Sequence, residues 1–130
     1  MKLTQTQKQK IKEIAGKYQL KLVLLFGSQS SGYIHKESDV DVAYLPEKSL
    51  DFEKEYRLNY EFTKIFQTDK VDTVDLRKAS PLLLYAVFQN PIILFQENDL
   101  VFPLYRAYVF KRYIEAKSFY KEKFQQLSKK

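Results

Sequence analysis

Apolar residues recur along the chain with two different spacings, and each spacing predicts a type of secondary structure. Spacings of three and four residues are typical of helices with one buried face, whereas strict alternation or a short continuous apolar run is typical of strands. Thr4, Asp51 and the Ser80-Pro81 pair are suitable caps for the first three helices. The pattern predicts helices over residues 4–17, 51–66, 80–89 and 101–128, and strands over 22–26, 38–45, 70–76 and 92–95.

The first two predicted strands differ in how they should be buried. Residues 22–26 are apolar throughout, which suits a central strand covered on both faces. Residues 38–45 alternate instead, which predicts a strand with one solvent-facing side. One face would carry Val40, Val42 and Tyr44, and the other Asp39, Asp41 and Ala43.

The last predicted helix is long for a chain of this size. At 1.5 Å per residue it would extend roughly 40 Å, whereas the radius of gyration expected of the whole chain is about 14 Å. Its end should therefore overhang the domain. The periodic stripe is either a core face or, on the overhanging part, a contact surface for a partner; it comprises Phe102, Tyr105, Val109, Tyr113, Ala116, Tyr120, Phe124 and Leu127.

Composition narrows the class of protein. A chain of 130 residues with 45% hydrophobic residues can form one compact core, so a single domain over residues 1–130 is expected. The absence of cysteine excludes disulfides and thiolate zinc sites. The start of the chain is not typical of an export signal, and the longest apolar run is too short to span a bilayer. A cytoplasmic location is therefore expected.

The net charge of +6 would suit nucleic acid, an acidic protein or a nucleoside triphosphate as a partner. Lysines are spread along the whole chain and become dense only near its end. A solvated basic surface explains this distribution better than a partner does, so the charge does not identify a partner.

Asp39 and Asp41 are the first candidates for chemistry. Residues two apart on a strand project from the same face, with their Cα atoms about 7 Å apart. Such a carboxylate pair can hold two divalent ions, which is the arrangement that an in-line displacement at phosphorus uses. Taken alone, an Asp-x-Asp is more often an acidic strand end exposed to solvent.

The Gly27-Ser28 pair makes this reading more specific. It follows the apolar strand directly and precedes Asp39 by ten residues. Glycine allows the backbone to approach a phosphate, and the serine hydroxyl can donate a hydrogen bond to it. Gly27 and Gly32 also frame a G-x-x-x-x-G, but Tyr33-Ile34 replace the Lys-Ser/Thr that a P-loop requires.

A third carboxylate should complete the metal site and could accept the proton of the attacking hydroxyl. Asp72 and Asp75 lie three apart on the third predicted strand, so they point to opposite faces and only one can contribute. We choose Asp72 and interpret Asp75 as a strand-end residue that caps or pairs with Arg77. His35, in the spacer, is interpreted as a surface or loop residue.

These motifs resemble the nucleotidyltransferase superfamily of DNA polymerase beta. The nearest resemblance is to the minimal nucleotidyltransferases, and among them to antitoxins of the MntA type in HEPN/MNT toxin–antitoxin pairs. It rests on Leu25-Phe26-Gly27-Ser28-Gln29, Gly32, residues 38–43, Val74-Asp75-Leu76-Arg77 and the helix over 106–120. The fold class expected is α/β (α+β): a small mixed β-sheet flanked by helices, with a long C-terminal helix.

The resemblance implies roles for particular residues. Gly27 and Ser28 would hold the triphosphate of ATP, the co-substrate, and Asp39, Asp41 and Asp72 would be catalytic and bind two Mg²⁺ ions, with Mn²⁺ as the alternative metal. It also implies transfer of AMP to a tyrosine of a HEPN ribonuclease toxin, which silences the toxin. Many small relatives carry arginine where this chain has Gln29-Ser30-Ser31. The cation that meets the terminal phosphates is therefore left open.

Two other functions remain as alternatives. One is a stand-alone adenylyltransferase acting on a small molecule such as an aminoglycoside, and the other is an antitoxin that acts by binding alone. The chain has too few residues beyond the predicted core for a separate acceptor domain, which favours a protein acceptor. Membrane association and direct nucleic-acid binding are not expected.

Overall fold

The computed structural model describes residues 3–27 and 40–128. Its helices and strands confirm all eight predicted elements. In chain order they are α1 (Gln5–Lys17), β1 (Leu20–Phe26), β2 (Val40–Pro46), α2 (Phe52–Phe66), β3 (Val71–Asp75), α3 (Pro81–Val87), β4 (Ile92–Gln96) and α4 (Val101–Ser128).

The four strands form one mixed sheet in the order β3-β2-β1-β4. β1 pairs antiparallel with both β2 and β4, whereas β2 and β3 run parallel. As predicted, β1 is an interior strand, and its residues 22–25 are at most 1% exposed. The mixed sheet with flanking helices and a long C-terminal helix confirms the predicted fold class.

Each face of the sheet has its own apolar core. α1 and α2 cover the face that carries Val23, Leu25 and Val42. α3 and α4 cover the opposite face, which carries Leu22, Leu24 and Ala43. The sheet separates the two cores, so in β1 and β2 a side chain's position in the strand alternation decides which pair of helices it faces.

The prediction of a solvent-facing side on β2 was wrong for most of the strand. Ala43 and Leu45 are buried against the second core, and only the beginning of this face, at Asp41, is partly exposed. The reason is that β2 lies between two other strands and has helices on both sides. The polar residues in the alternation, Asp39 and Asp41, belong to the predicted site at the beginning of the strand and do not indicate an exposed face along its length.

The predicted helix caps are confirmed. The Thr4 hydroxyl accepts a hydrogen bond from the backbone N–H of Gln7, whose side chain accepts one from the N–H of Thr4. Asp51 and Ser80 accept from the third residue of α2 and of α3, at 2.8 and 3.2 Å. None of the helices in the described part of the chain is long and apolar enough to cross a membrane.

Asn59 connects α2 to β3, the edge strand. Its Nδ2 donates a hydrogen bond to the carbonyl oxygen of Val71 at 2.9 Å, and it lies 3.4 Å from Oγ1 of Thr73. β3 is only five residues long and pairs on one side with β2 alone. This side-chain contact therefore contributes to holding β3 in place beside β2.

We expect Asn59→Ala to lower the free energy of unfolding by about 1–2 kcal/mol, because it leaves a partly buried carbonyl without its donor. Urea denaturation measures the change. Tyr56→Ala is the matched control, since this residue of α2 is 71% exposed and should change stability by less than about 0.5 kcal/mol. Equal stability of the two variants would contradict a role for Asn59 in fixing β3.

Candidate active site

The C-terminal end of β1 and the N-terminal end of β2 lie at the same edge of the sheet. Phe26, the last residue of β1, is the partner of Asp41 in the antiparallel pairing. Gly27 follows with a φ of 76°, a left-handed conformation that residues with a side chain rarely adopt. The end of β1 thus lies directly beside Asp41.

Gly27 is needed at this turn for a second reason. A Cβ added to it would collide with Oδ2 of Asp41 and would lie 3.3 Å from the Cγ of that carboxylate. The backbone of Gly27 and the carboxylate of Asp41 therefore occupy adjoining space that any other residue would fill. The three atoms nearest to such a Cβ all belong to the side chain of Asp41.

Asp72 lies next to Asp41 on the neighbouring strand. The parallel pairing of β2 with β3 places the two residues directly opposite each other, and paired residues project from the same face of a sheet. Adjacent strands are about 4.8 Å apart, so the two carboxylates can reach a shared ion. Asp72 is exposed and Asp41 partly exposed, so both are open to solvent at this edge.

Asp75 lies on the opposite face of β3 and is only 9% exposed. Its Oδ1 accepts a hydrogen bond from the backbone N–H of Arg77 at 2.9 Å, which closes the turn after the strand. Burial, followed by the charges of Asp75 and Glu55, raises the pKa of Tyr44, which belongs to the first core. The structure therefore places Asp72, and not Asp75, beside Asp41.

Lys70 lies at the same edge, although its sequence pattern alone does not mark it as a site residue. Its carbonyl oxygen accepts a hydrogen bond from the N–H of Val40 at 2.8 Å, so its backbone continues the pairing of β3 with β2. Lys70 precedes Asp72 by two residues, and the alternation places it on the same face of the sheet. It is exposed. The spacing of two residues between Lys70 and Asp72 was the feature of the sequence that could have indicated that both side chains lie on one face.

Several predicted residues lie outside the described part of the chain. These are Ser28, Asp39, Gly32 and His35, together with the rest of the spacer. Within residues 3–27 and 40–128, no group of three His, Cys, Asp or Glu side chains could hold a metal ion. Asp41 and Asp72 are the two predicted ligands in that part, and oxygen donors of this kind suit Mg²⁺.

A large cleft bounded by described residues lies elsewhere. It has a volume of about 800 Å³ and is lined by Lys21 at the start of β1, by Leu45 and Pro46 at the end of β2, and by Leu76 and Arg77 after β3. These positions mark the end of the sheet opposite Gly27 and Asp41. Gly27, Asp41 and Asp72 thus lie at the other end of the sheet from this cleft.

Known proteins resemble this chain in sequence and in fold. Protein adenylyltransferase MntA of Shewanella oneidensis is 41% identical over 68 residues, which is 52% of this chain and 48% of that protein. The matched segment therefore spans about half the length of this curated relative.

Two solved structures share the fold over nearly the whole chain. A crystal structure of a toxin–antitoxin with AMP-PNP contains a chain that matches with a TM-score of 0.78 and 26% identity, covering 93% of this chain and 98% of that one. The structure of the tri-AMPylated HEPN toxin of Shewanella oneidensis in complex with MNT antitoxin also contains a chain that matches. Its TM-score is 0.73 and its identity 24%, and the match covers 95% of this chain and 98% of that one.

The family comparison agrees with the geometry. The model of the family described as polymerase beta, nucleotidyltransferase matches residues 9–100, which include Gly27, Asp41 and Asp72 and make up more than half of the chain. The glycine turn and the aspartates thus lie within the matched region. We conclude that this chain belongs to the polymerase beta nucleotidyltransferase family.

Proposed function

We propose that this chain is an antitoxin that transfers AMP from ATP to a tyrosine of a HEPN-type ribonuclease toxin and thereby neutralises it. The observation that carries the proposal is the pairing of Asp41 with Asp72 beside Gly27 in a member of the nucleotidyltransferase family. We place the activity in the cytoplasm, where ATP is available.

The relatives support the acceptor and the co-substrate. The 41% identical relative is a protein adenylyltransferase, and one structural relative is bound to a tri-AMPylated HEPN toxin. Another was crystallised with AMP-PNP, an analogue of ATP. A protein acceptor also suits the exposure of Asp72 and the partial exposure of Asp41, because an acceptor tyrosine could approach both carboxylates.

The proposed reaction is a displacement at the α-phosphorus of ATP. The tyrosine oxygen forms a bond to this phosphorus, the bond to the β-phosphate oxygen breaks, and pyrophosphate leaves. Asp72 would accept the proton of the tyrosine hydroxyl, while the Gly27-Ser28 turn would hold the triphosphate. Asp39, Asp41 and Asp72 would bind two divalent ions, which neutralise charge on the phosphates when bound.

Replacing the third carboxylate should separate Asp72 from Asp75. We expect Asp72→Asn to reduce AMP transfer at least about 100-fold, because general-base catalysis contributes roughly 10²–10⁴-fold. Asp75→Asn should change the rate less than about threefold, since this residue lies on the opposite face. The measurement is the intact mass of a HEPN-type toxin protein, followed over time with Mg-ATP. Loss of activity in Asp75→Asn alone would reverse the assignment.

Asp41→Asn tests whether neutralisation needs catalysis. The substitution removes a charge and little volume, so the fold should persist and AMP transfer should stop. We expect the variant to leave the ribonuclease active at concentrations at which the original chain inhibits it. Equal inhibition by both proteins would instead support an antitoxin that acts by binding alone.

We also propose that Lys70 meets the terminal phosphates of ATP. Lys70→Gln should weaken the binding of Mg-AMP-PNP about tenfold, which corresponds to the loss of one hydrogen bond to a charged group. Calorimetric titration measures this affinity. Lys48→Gln is the control, because Lys48 follows β2 at the opposite end of the sheet and is also exposed. Equal affinities of the two variants would exclude this role.

Gly27→Ala should affect both stability and activity. The positive φ and the collision with Asp41 should lower the free energy of unfolding by about 1–2 kcal/mol and displace the carboxylate. Gly16→Ala is the control, because a Cβ there meets no atom within 4 Å. In a helix this change should leave stability equal or raise it by up to about 1 kcal/mol. Urea denaturation and the intact-mass assay report the two effects, and an active, fully stable Gly27→Ala would refute both.

A further inference from the structure

The apolar spacing in the first half of α4 continues into the second half, beyond Val109, the last buried residue of this helix. Phe102 and Tyr105 contact Phe88 with ring centroids 5.5 and 5.6 Å apart, and Val109 is fully buried. Tyr113 then stacks on Tyr85 of α3, with centroids 3.7 Å apart and an interplanar angle of 10°.

We define the α4 seam as the five positions that follow at the same spacings of three and four residues: Tyr113, Ala116, Tyr120, Phe124 and Leu127. The spacing repeats every eleven residues, which keeps the seam along one side of a nearly straight helix. The last three side chains are 54%, 73% and 63% exposed. Single exposed apolar residues are common, but a line that continues a packed stripe indicates a missing contact.

The charge around the α4 seam indicates what could cover it. Residues 111–130 contain seven Lys or Arg and two Glu, so this segment carries +5 of the net +6 of the chain. On a helical projection of about 100° per residue, Lys123 borders the seam on one side and Lys117 and Lys121 on the other. The two glutamates, Glu115 and Glu122, lie on the opposite side of the helix.

These bordering lysines form no ion pair within the described part of the chain, although Lys123 lies over the ring of Phe119, with Nζ 5.6 Å from the centroid. Ion pairs in the described part of the chain involve only Lys17, Arg57 and Lys78, all outside α4. A second copy of the chain would bring the same basic borders, and like charges would oppose the contact. A surface with carboxylates on both sides of an apolar stripe would be complementary.

The width of the α4 seam favours a protein over a lipid surface. Its five positions span roughly 80° of the helix circumference, which is narrow compared with the apolar faces of helices that lie in membranes. A narrow seam with charged borders is the pattern by which helices pair with each other.

We propose that the α4 seam docks the acceptor protein, along an α-helical surface whose apolar stripe is bordered by carboxylates. The inference rests on the proposed function for the identity of this protein, a HEPN-type toxin. Docking is nevertheless separate from catalysis, because the seam contains none of the residues assigned to AMP transfer.

The test measures binding in a background that cannot modify the partner. We compare the dissociation constant for the HEPN-type toxin of two full-length proteins: Asp41→Asn, which is the parent, and the same protein with Phe124→Ser added. We expect Phe124→Ser to raise it at least about tenfold, as for a central interface residue. Ile114→Ser is the matched control, because Ile114 is 64% exposed on α4 but lies outside the seam, and it should change the constant less than threefold.

The charge borders are tested in the same way. Lys117→Glu should weaken binding about tenfold at low salt, and the difference from the parent should shrink as salt is raised. Lys111→Glu lies away from the seam and should have a smaller effect. Equal affinity of the Phe124→Ser protein and its parent, or no binding by the parent, would refute the docking surface.

Two further measurements decide between occupants. Light scattering shows whether the original chain forms a dimer. If Phe124→Ser abolishes that dimer while binding to the HEPN protein persists, a second copy occupies the seam and the proposal is overturned. Sedimentation with vesicles of anionic lipid measures binding to a membrane. If Phe124→Ser abolishes this binding while binding to the HEPN protein persists, the proposal is overturned in favour of a membrane surface.

Failure of docking and failure of the proposed function give different results. If the original chain transfers AMP, and Phe124→Ser changes neither the affinity for the HEPN protein nor the rate of transfer, docking is refuted and the proposed function is retained. If Phe124→Ser weakens binding, but the original chain adds no AMP to the HEPN protein, docking is retained and the transfer is refuted.

Discussion

Two strand pairings hold the candidate site together. The antiparallel pairing of β1 with β2 places Phe26 opposite Asp41, and the parallel pairing of β2 with β3 places Asp41 opposite Asp72. A shift of either register by one residue would turn a carboxylate into the opposite core, among apolar side chains. The apolar residues that fix these registers therefore position the chemistry, although none of them takes part in it.

Much of this arrangement could be predicted from the sequence because periodic burial determines it. The buried run in β1, the caps Thr4 and Asp51 and the length of α4 are local properties, and the structure agrees with them. Other features depended on long-range pairing. The order of the strands buried both faces of β2, and the contact between Gly27 and Asp41 arises only when two distant segments are adjacent.

The choice between Asp72 and Asp75 shows how far reasoning from spacing extends. Their separation by three residues indicated opposite faces, but the register was needed to show which face carries Asp41. Lys70 was missed because a lysine before a strand is common, and its position became informative only once its carbonyl was seen to accept the N–H of Val40. Charge and composition alone could not distinguish it from the other lysines.

The length of α4 has a consequence for the order of events on a bound acceptor. An acceptor held along the exposed half of this helix would be tethered by contacts that the transfer of AMP does not use. Tethering replaces a search through solution by a local one, at effective concentrations that reach about the millimolar range for short connections. A tethered acceptor could then receive more than one nucleotide in a single encounter, since release of pyrophosphate would not require release of the protein.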